Sequence, residues 1–577
     1  MLNSGAPATL PNRVRGWRLA AGLLVVALLA WLLLGGVLAA ARHAWGWPIG
    51  AALVPAVLAA ALTLAVGAAY VASGAADPGR ARLAACIVIY AFALRLAYAG
   101  AVDLLPEETY YWSYARHLDY GYLDHPPLVA WLIRAGVALA GNDEFGVRLG
   151  AIVCAAVGST FTYRLTRNLF DAKSAAAALI LAQSLPFFFL AGFLMTPDAP
   201  LAAAWAATLF YLERALVARD ARAWWGVGVA LGLGMISKYS IGLLVPVIAI
   251  FMVVDRPSRL WWRRPQPYLA ALLAVLVFAP VLVWNAEHQW ASFASQTSRR
   301  LAEAPRFSLH KLIGSALVLI TPIGVMAVAA ALGSGGRTVG SAADPRRWLF
   351  LRIAVLFPLA VFTLFSLRHE VKLDWTGAPW VAALPVMAVA MAHGGRGLIG
   401  ALRGTWVATV MIVLIALGTG LYYLALGLPG VGYGKHIELA PVAWREFSRQ
   451  VDAVAVRVRA DTGSDPLIVG MDRYAIASEL AFYAEARTGT TLSPSSVHLF
   501  GGVGLMYERW SPAEAADGRT LLLVAWDPHD IDGPSIAAHC ERLGPVMEGR
   551  LTRGSHTVRD YYYRVAYNYR AARLSSP

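Results

Sequence analysis

Charge is scarce in this 577-residue chain: Asp, Glu, Lys and Arg make up only 15% of it, against 58% hydrophobic residues. Soluble domains carry roughly 25% charged residues. With a mean hydropathy of +0.56, the composition excludes an ordinary soluble globular enzyme. Cysteine is also rare. The three present are Cys86, Cys154 and Cys540; two lie in apolar runs, and the polar C-terminal tail holds one, so no disulfide forms within that tail. There is no G-x-x-x-x-G-K-[ST] phosphate loop and no G-x-G-x-x-G after a strand, which argues against a nucleotide-driven transporter and a nucleotide-sugar fold. An H-E-x-x-H motif and paired cysteine ligands are missing as well, so no motif demands a metal.

What remains is a series of long apolar runs between Leu19 and Leu426. Each is of the roughly 17–25 residues needed to cross a bilayer. They predict a polytopic α-helical membrane protein of about thirteen spans, beginning near 19–41 and 50–74 and ending near 405–427. The first run is longer than the 7–15 residues of a signal-peptide core, so it reads as a retained span. The net charge of +14 is distributed over short connections such as Arg80/Arg82, Arg164/Arg167 and Arg346/Arg347. That is the positive-inside pattern, and no soluble basic stripe exists to bind nucleic acid. The chain divides into extra N-terminal helices at 1–82, a membrane domain at 83–435 and a soluble α/β domain at 436–577, where apolar runs shorten to strand length. The basic connections place the N-terminus inside and the C-terminal domain outside.

On the outer side the polar residues concentrate. The first outer loop, 102–145, carries Glu107-Glu108 behind Pro106, then Tyr122-Leu-Asp124-His125-Pro126-Pro127 leading into the amphipathic run LVAWLIRAG. Pro followed by two acids is also ordinary helix-start chemistry, and an Asp-His pair also suits a surface turn. Asp198 opens a span and has helix-capping as its bland alternative. Lys238 lies between two short apolar helices; a snorkelling lysine is its alternative, but an outer position opposes the positive-inside bias and favours an anion. Tyr239, WNAEHQW (with Asn285 and His288), Arg299-Arg300 and RHEVKLDW (with His369 and Lys372) add cations and aromatics on the same side. Cations suit a phosphate leaving group and aromatics suit sugar faces, although an interfacial belt explains most tryptophans. Ionisable groups at membrane depth default to function.

The ordered segments LLPEETYYWSYARHLDYGYLDHPPLVAWLI, EFGVRLGAI, FLMTPDAP, GLGMISKYSIGLL and PVLVWNAEHQW resemble the bacterial GT-C glycosyltransferases of the protein O-mannosyltransferase and aminoarabinose transferase superfamily. The resemblance covers roughly residues 84–390. It implies a GT-C membrane fold, an extracytoplasmic active site, and transfer of a sugar from a polyprenyl phosphate with inversion. The family has Asp-Glu at the first outer loop, and Glu107 stands at the Asp position. The resemblance gives Glu107, Glu108 and Asp198 catalytic roles and associates Asp124, His125 and Lys238 with the donor. Tyr239, Asn285, His288, Arg299, Arg300 and Lys372 complete the expected donor-binding set. An optional divalent metal ion has Asp124, His125 and His369 as candidate ligands; no cofactor is otherwise required.

The expected partners are therefore a polyprenyl-phosphate sugar, an envelope glycan, lipid or protein acceptor, and membrane lipids, at a bacterial inner membrane with the site facing the periplasm. Transfer to a lipid A phosphate is the rival within enzymes. A lipid-linked glycan transporter, and a non-catalytic sensor on the same scaffold, are the rivals from other classes.

Overall fold

The computed structural model describes residues 12–43, 63, 78–296, 305–334, 344–393, 397–428, 431–434, 441–553 and 556–571. Its membrane part contains helices α1 (Asn12–His43), α2 (Pro78–Ala99), α3 (Pro106–Arg116), α4 (Leu128–Ala140), α5 (Glu144–Leu169), α6 (Ala172–Ser184), α7 (Pro186–Ala191), α8 (Asp198–Leu212) and α9 (Ala223–Met235). It continues with α10 (Leu244–Val254), α11 (Gln266–Glu287), α12 (Ala291–Gln296), α13 (Leu309–Gly333), α14 (Pro345–Ser366), α15 (Leu384–His393), α16 (Leu398–Arg403) and α17 (Trp406–Leu426). Among the described residues six helices are long and apolar enough to cross a membrane, or seven if one bent pair counts as a span. The expected count of about thirteen is thus not reached by single helices, and the expected span at 50–74 lies, apart from residue 63, outside the described residues.

The shortfall has a local cause. Several expected spans are broken or begin irregularly. Leu185, ahead of Pro186, takes an extended backbone (φ −65°, ψ 139°) and ends α6, as a residue before proline is biased to do. The short α7 that follows leaves carbonyls without helical partners. The wholly buried Arg95 of α2 donates to the Phe189 carbonyl at 3.2 Å and, at 3.3 Å, to the Phe188 carbonyl, which also accepts the Gly192 N–H. Tight 3₁₀ turns at Tyr239–Leu243 and Ala378–Ala383 precede α10 and α15.

Ion pairs tie the two ends of this bundle separately. Arg346 at the start of α14 holds Asp255 at 2.8 Å and the carbonyl of Leu216 at 2.9 Å, and His393 at the end of α15 meets Asp171 at 2.5 Å. The opposite helix ends carry Asp198, Lys238 and Asp374, on the side expected to face outward.

The C-terminal part is the expected α/β fold: α18 (Trp444–Thr462), β1 (Leu467–Gly470), α19 (Ala475–Thr488), β2 (Ser495–Ser496), α20 (Tyr507–Trp510), β3 (Leu521–Ala525), α21 (Pro534–His539), β4 (Cys540–Leu543), β5 (Met547–Arg553) and β6 (His556–Tyr569). The sheet runs β2-β1-β3-β6-β4, with β5 also on β6; β1 is parallel to β2 and β3, and β6 is antiparallel to its partners. This sheet does not stand apart. Tyr110, Tyr111, Trp112 and Tyr114 of α3 share one apolar core with Phe482, Tyr483, Met506, Tyr507 and Val524. Buried aromatics of this size each stabilise by about 1.5–3 kcal/mol. The Leu104 N–H donates to the Tyr483 hydroxyl at 2.8 Å, and the Trp444 N–H donates to Asp103 at 3.1 Å. The segment 102–145 is therefore a helical layer between the bundle and the sheet, which positions everything described next.

Candidate active site

Glu107 and Glu108 are neighbours in sequence and opposites in environment. Glu108 is fully buried. Its carboxylate takes the Arg148 guanidinium from α5 side-on, at 2.9 Å to Oε1 and 2.6 Å to Oε2. It also accepts the Leu105 N–H at 3.1 Å, as a capping-box acid does, and the Met195 N–H at 3.0 Å. Arg148 spends its other donors on the carbonyls of Ala99, Val102 and Asp103 at 2.9, 2.6 and 3.0 Å. Where a catalytic acid was expected, the structure has a buried carboxylate whose oxygens meet four donors. Glu107, one residue earlier on the helix, is exposed, and no hydrogen bond or ion pair to its carboxylate is present among the described residues.

Asp124 is held from the same helix. One oxygen accepts the hydroxyls of Tyr110 (3.2 Å) and Tyr114, and burial pushes this carboxyl above its ordinary range. The two tyrosines are one turn apart, a spacing that puts both on one helix face. Between them Tyr111, 7% exposed, lies edge-on to the His125 ring at 5.5 Å and within electrostatic reach of Asp124, Glu107 and Asp198. Tyr111 thus marks where the 102–145 segment meets the second acidic centre.

That centre is an Asp–Lys–Asp group. The Lys238 ammonium donates to both oxygens of Asp198, at 2.9 and 3.0 Å, and to Asp374 at 3.0 Å. Burial alone would lower the lysine's pKa; the two carboxylates outweigh it, so the ammonium stays protonated. The corner is fixed by backbone ties. The Ser237 hydroxyl donates to the Pro197 carbonyl at 2.7 Å, and the Leu128 N–H donates to the Ile236 carbonyl at 3.0 Å. The turn after Asp124, the Asp198 corner and the Lys238 corner are therefore stitched together. A Cβ at Gly377, just past Asp374, would collide with Phe187, so this close approach requires glycine.

Of the other expected donor residues, several make contacts within the protein. The Tyr239 hydroxyl meets Ser292 at 2.9 Å, Asn285 donates to the Val281 carbonyl and accepts the Ser292 N–H at 3.2 Å, and His288 stacks on Trp284 at 4.2 Å. Lys372 is exposed beside Asp374. Arg299 and Arg300 lie outside the described residues. The metal candidates do not assemble: among the described residues no three His, Cys, Asp or Glu are grouped to hold an ion, and His369 stacks on Phe365 at 4.7 Å. No reaction step is therefore routed through a metal.

Arg148, Asp374 and Tyr111 carry this geometry and were not among the expected site residues. Arg148 had a signal: an arginine in the first turns of an apolar span needs a buried partner. Asp374 had a weaker one in the acid that ends RHEVKLDW.

Comparison with known proteins finds this chain similar to membrane glycosyltransferases. A family model described as dolichyl-phosphate-mannose-protein mannosyltransferase matches residues 124–284. Lipid A galacturonosyltransferase RgtD of Rhizobium johnstonii is 27% identical over 196 residues, 33% of this chain and 40% of RgtD. Lipopolysaccharide core galacturonosyltransferase RgtA of the same organism is 26% identical over 408 residues, 66% of this chain and 78% of RgtA. An undecaprenyl phosphate-alpha-4-amino-4-deoxy-L-arabinose arabinosyl transferase of Pseudomonas aeruginosa is 30% identical over 208 residues. The match covers 30% of this chain and 35% of that enzyme. The chain thus spans well under half of two of these relatives. The crystal structure of ArnT from Cupriavidus metallidurans bound to undecaprenyl phosphate aligns with a TM-score of 0.55 at 15% identity, over 85% of this chain and 98% of ArnT. At that identity the likeness shows the fold, and it is the one the sequence resemblance implied.

Proposed function

We propose that this polytopic membrane protein, which carries the GT-C fold, is an inverting glycosyltransferase. It moves a sugar from a polyprenyl phosphate to a lipid A or lipopolysaccharide acceptor at the periplasmic face of the inner membrane. The observation that carries the chemistry is the division of acids: Glu108, Asp124 and Asp198 are each held by partners, while Glu107 is exposed beside them and unengaged. The relatives' substrates support the donor and acceptor classes, and the one-sided distribution of basic connections supports the orientation.

In the proposed step an acceptor hydroxyl oxygen attacks the anomeric carbon from the face opposite the phosphate. The carbon–oxygen bond to the acceptor forms as the bond to the phosphate oxygen breaks. The leaving electron pair stays on the polyprenyl phosphate, and the hydroxyl proton passes to Glu107 as general base. The product is a glycoside of inverted configuration. The Asp198–Lys238–Asp374 group presents fixed carboxylate edges that position sugar hydroxyls. In this reading Lys238 holds the two carboxylates in place, since Asp198 and Asp374 already share its charge. Where the acceptor is a lipid A phosphate, its oxygen is already ionised and Glu107 only positions it.

Mass spectrometry of lipid A, lipopolysaccharide, glycans and proteins from a deletion strain tests this reading. Loss of one sugar from lipid A or the core supports it. Loss confined to a protein or a capsular glycan overturns the acceptor assignment. Purified protein that moves a lipid-linked sugar across a bilayer without forming a glycoside would make it a transporter instead.

A further inference from the structure

The C-terminal part reaches the acidic centre through the connection from β1 to α19, Met471–Tyr474. Strand β1 lies between β2 and β3, parallel to both. The chain leaves β1 through α19 toward β2 and returns on the other side of β1 as β3. A crevice at the carboxyl ends of such strands is where α/β sheets place ligands. Here it opens onto α3. The connection is rigid: the Met471 N–H donates to the Val524 carbonyl at 2.9 Å, and both Asp472 oxygens accept the Ile476 N–H at 3.2 Å. Tyr474 stacks on Tyr110 at 4.5 Å and 29°, the same Tyr110 whose hydroxyl donates to Asp124. A second C-terminal segment braces the contact, with the Met506 N–H donating to the Tyr110 hydroxyl at 3.2 Å. Between the anchored Asp472 and the stacked Tyr474 stands Arg473. It is exposed, within electrostatic reach of Asp124, and in no hydrogen bond or ion pair with any described residue.

The charge balance says what such an arginine is for. Glu107, Asp124, Asp198 and Asp374 bring four carboxylates to this centre, and Lys238 is already shared by two of them. Burial favours the protonated form of Asp124, but an anionic substrate still meets a wall of acids. Among the described residues, Lys372 reaches the set from the Asp374 side, and it also faces Glu370. Among the described residues, Arg473 is the arginine that acts electrostatically on Asp124, and its guanidinium is in no hydrogen bond or ion pair with any of them. A guanidinium presents a rigid fork of donors that matches a phosphate.

Resting on the glycosyltransferase reading above, we infer that Arg473, supplied by the C-terminal part, binds the phosphate of the polyprenyl donor and receives its charge when the sugar leaves. Tyr474 mounts it against α3. The C-terminal part then completes the active site and is not an accessory.

The test uses full-length protein in nanodiscs, with polyprenyl monophosphate and uncharged polyprenol as probes and Arg473→Ala and Arg473→Lys as variants. Arg473 is exposed, and an unchanged unfolding midpoint confirms that the variants fold. Losing a charge-assisted hydrogen-bonding partner is expected to weaken polyprenyl phosphate binding about 10–100-fold in Arg473→Ala. Arg473→Lys keeps a point charge and loses less; polyprenol binding is the same in all three. In turnover, the KM for the donor rises and that for the acceptor does not. Equal binding of polyprenyl phosphate by wild type and Arg473→Ala overturns the inference. So does a defect confined to the KM of a phosphorylated acceptor, which would assign Arg473 to acceptor phosphate. Failure of the wild type itself to bind polyprenyl phosphate overturns the glycosyltransferase reading along with it, an outcome distinct from equal binding.

Discussion

Replacing Glu108 with alanine is expected to loosen the layer between bundle and sheet rather than delete a reacting group. The Glu108 carboxylate accepts two N–H groups of Arg148, at 2.9 and 2.6 Å, and the backbone N–H groups of Leu105 and Met195, at 3.1 and 3.0 Å. Arg148 is 0% exposed, so the alanine leaves a buried guanidinium without its paired carboxylate, and Glu144, the other acid acting on it, is already paired with Arg445. Removing one partner of a buried ion pair costs about 3–5 kcal/mol. At 1.36 kcal/mol per decade, that corresponds to a rise of about 10²–10⁴ in the opening equilibrium. Hydrogen exchange followed by mass spectrometry reads this directly on α3. Its amides are expected to exchange faster by that factor, with the helices at the opposite end of the bundle unaffected. A double replacement, Glu108→Ala with Arg148→Met, removes the stranded charge and recovers part of the loss. Recovery stays partial because the carbonyls of Ala99, Val102 and Asp103 lose their donors. Unchanged exchange in Glu108→Ala would refute the clamp. So would a Glu108→Gln protein that exchanges like wild type yet makes no product, since that would return Glu108 to the chemistry.

Three further outcomes are expected. Asp374→Asn removes one of the two carboxylates on Lys238; because Asp374 is 45% exposed, the unfolding midpoint changes little, about 1 kcal/mol or less, while turnover falls. Lys238→Met leaves Asp198 and Asp374 facing each other without the ammonium that bridges them and is expected to cost about 3 kcal/mol or more in stability, seen as a lower thermal midpoint at neutral pH. Glu479 on α19 is 1% exposed, its oxygens lack a hydrogen-bond partner of normal geometry, and burial, with Asp103 and Glu108 nearby, raises its pKa well above the usual range. The folded state therefore holds this proton at pH values where the unfolded chain has lost it. Stability from this group is full below the unfolded carboxylate pKa, about 4.3, and declines as pH rises. Glu479→Gln removes that decline, and unfolding midpoints measured from pH 4.5 to 8 check it: parallel curves for wild type and variant would refute the assignment.

The sequence exposed the class of fold because apolar length and polar interruption are local properties. Pro106 before two acids starts α3, the double proline ahead of Leu128 starts α4, and the short apolar runs LIVG and LLLVA become β1 and β3. The number of long helices was less legible. Leu185–Pro186 and the 3₁₀ turns at Tyr239 and Ala378 interrupt runs that look continuous as hydropathy.

Within the site, composition located the acids but not their partners. Glu107 and Glu108 carry the same chemistry, and only the direction each side chain takes from α3 separates an open carboxylate from a saturated one. Lys238 suggested an anion site because its partners lie 40 and 136 residues away, a separation that no local pattern reveals. The contribution of Arg473 and Tyr474 was hidden for the same reason, since it depends on how the C-terminal sheet docks against α3.

The most direct measurement compares wild type and Glu107→Gln, purified and shown to unfold at the same temperature. Each is given a radiolabelled polyprenyl-phosphate sugar and lipid A or core acceptor. The expected result is an inverted glycoside and free polyprenyl phosphate from wild type, with transfer reduced about 10²–10⁴-fold in the variant. Full transfer by Glu107→Gln would remove Glu107 from the base role. No glycoside from wild type with any lipid A or core acceptor would contradict the proposed activity itself.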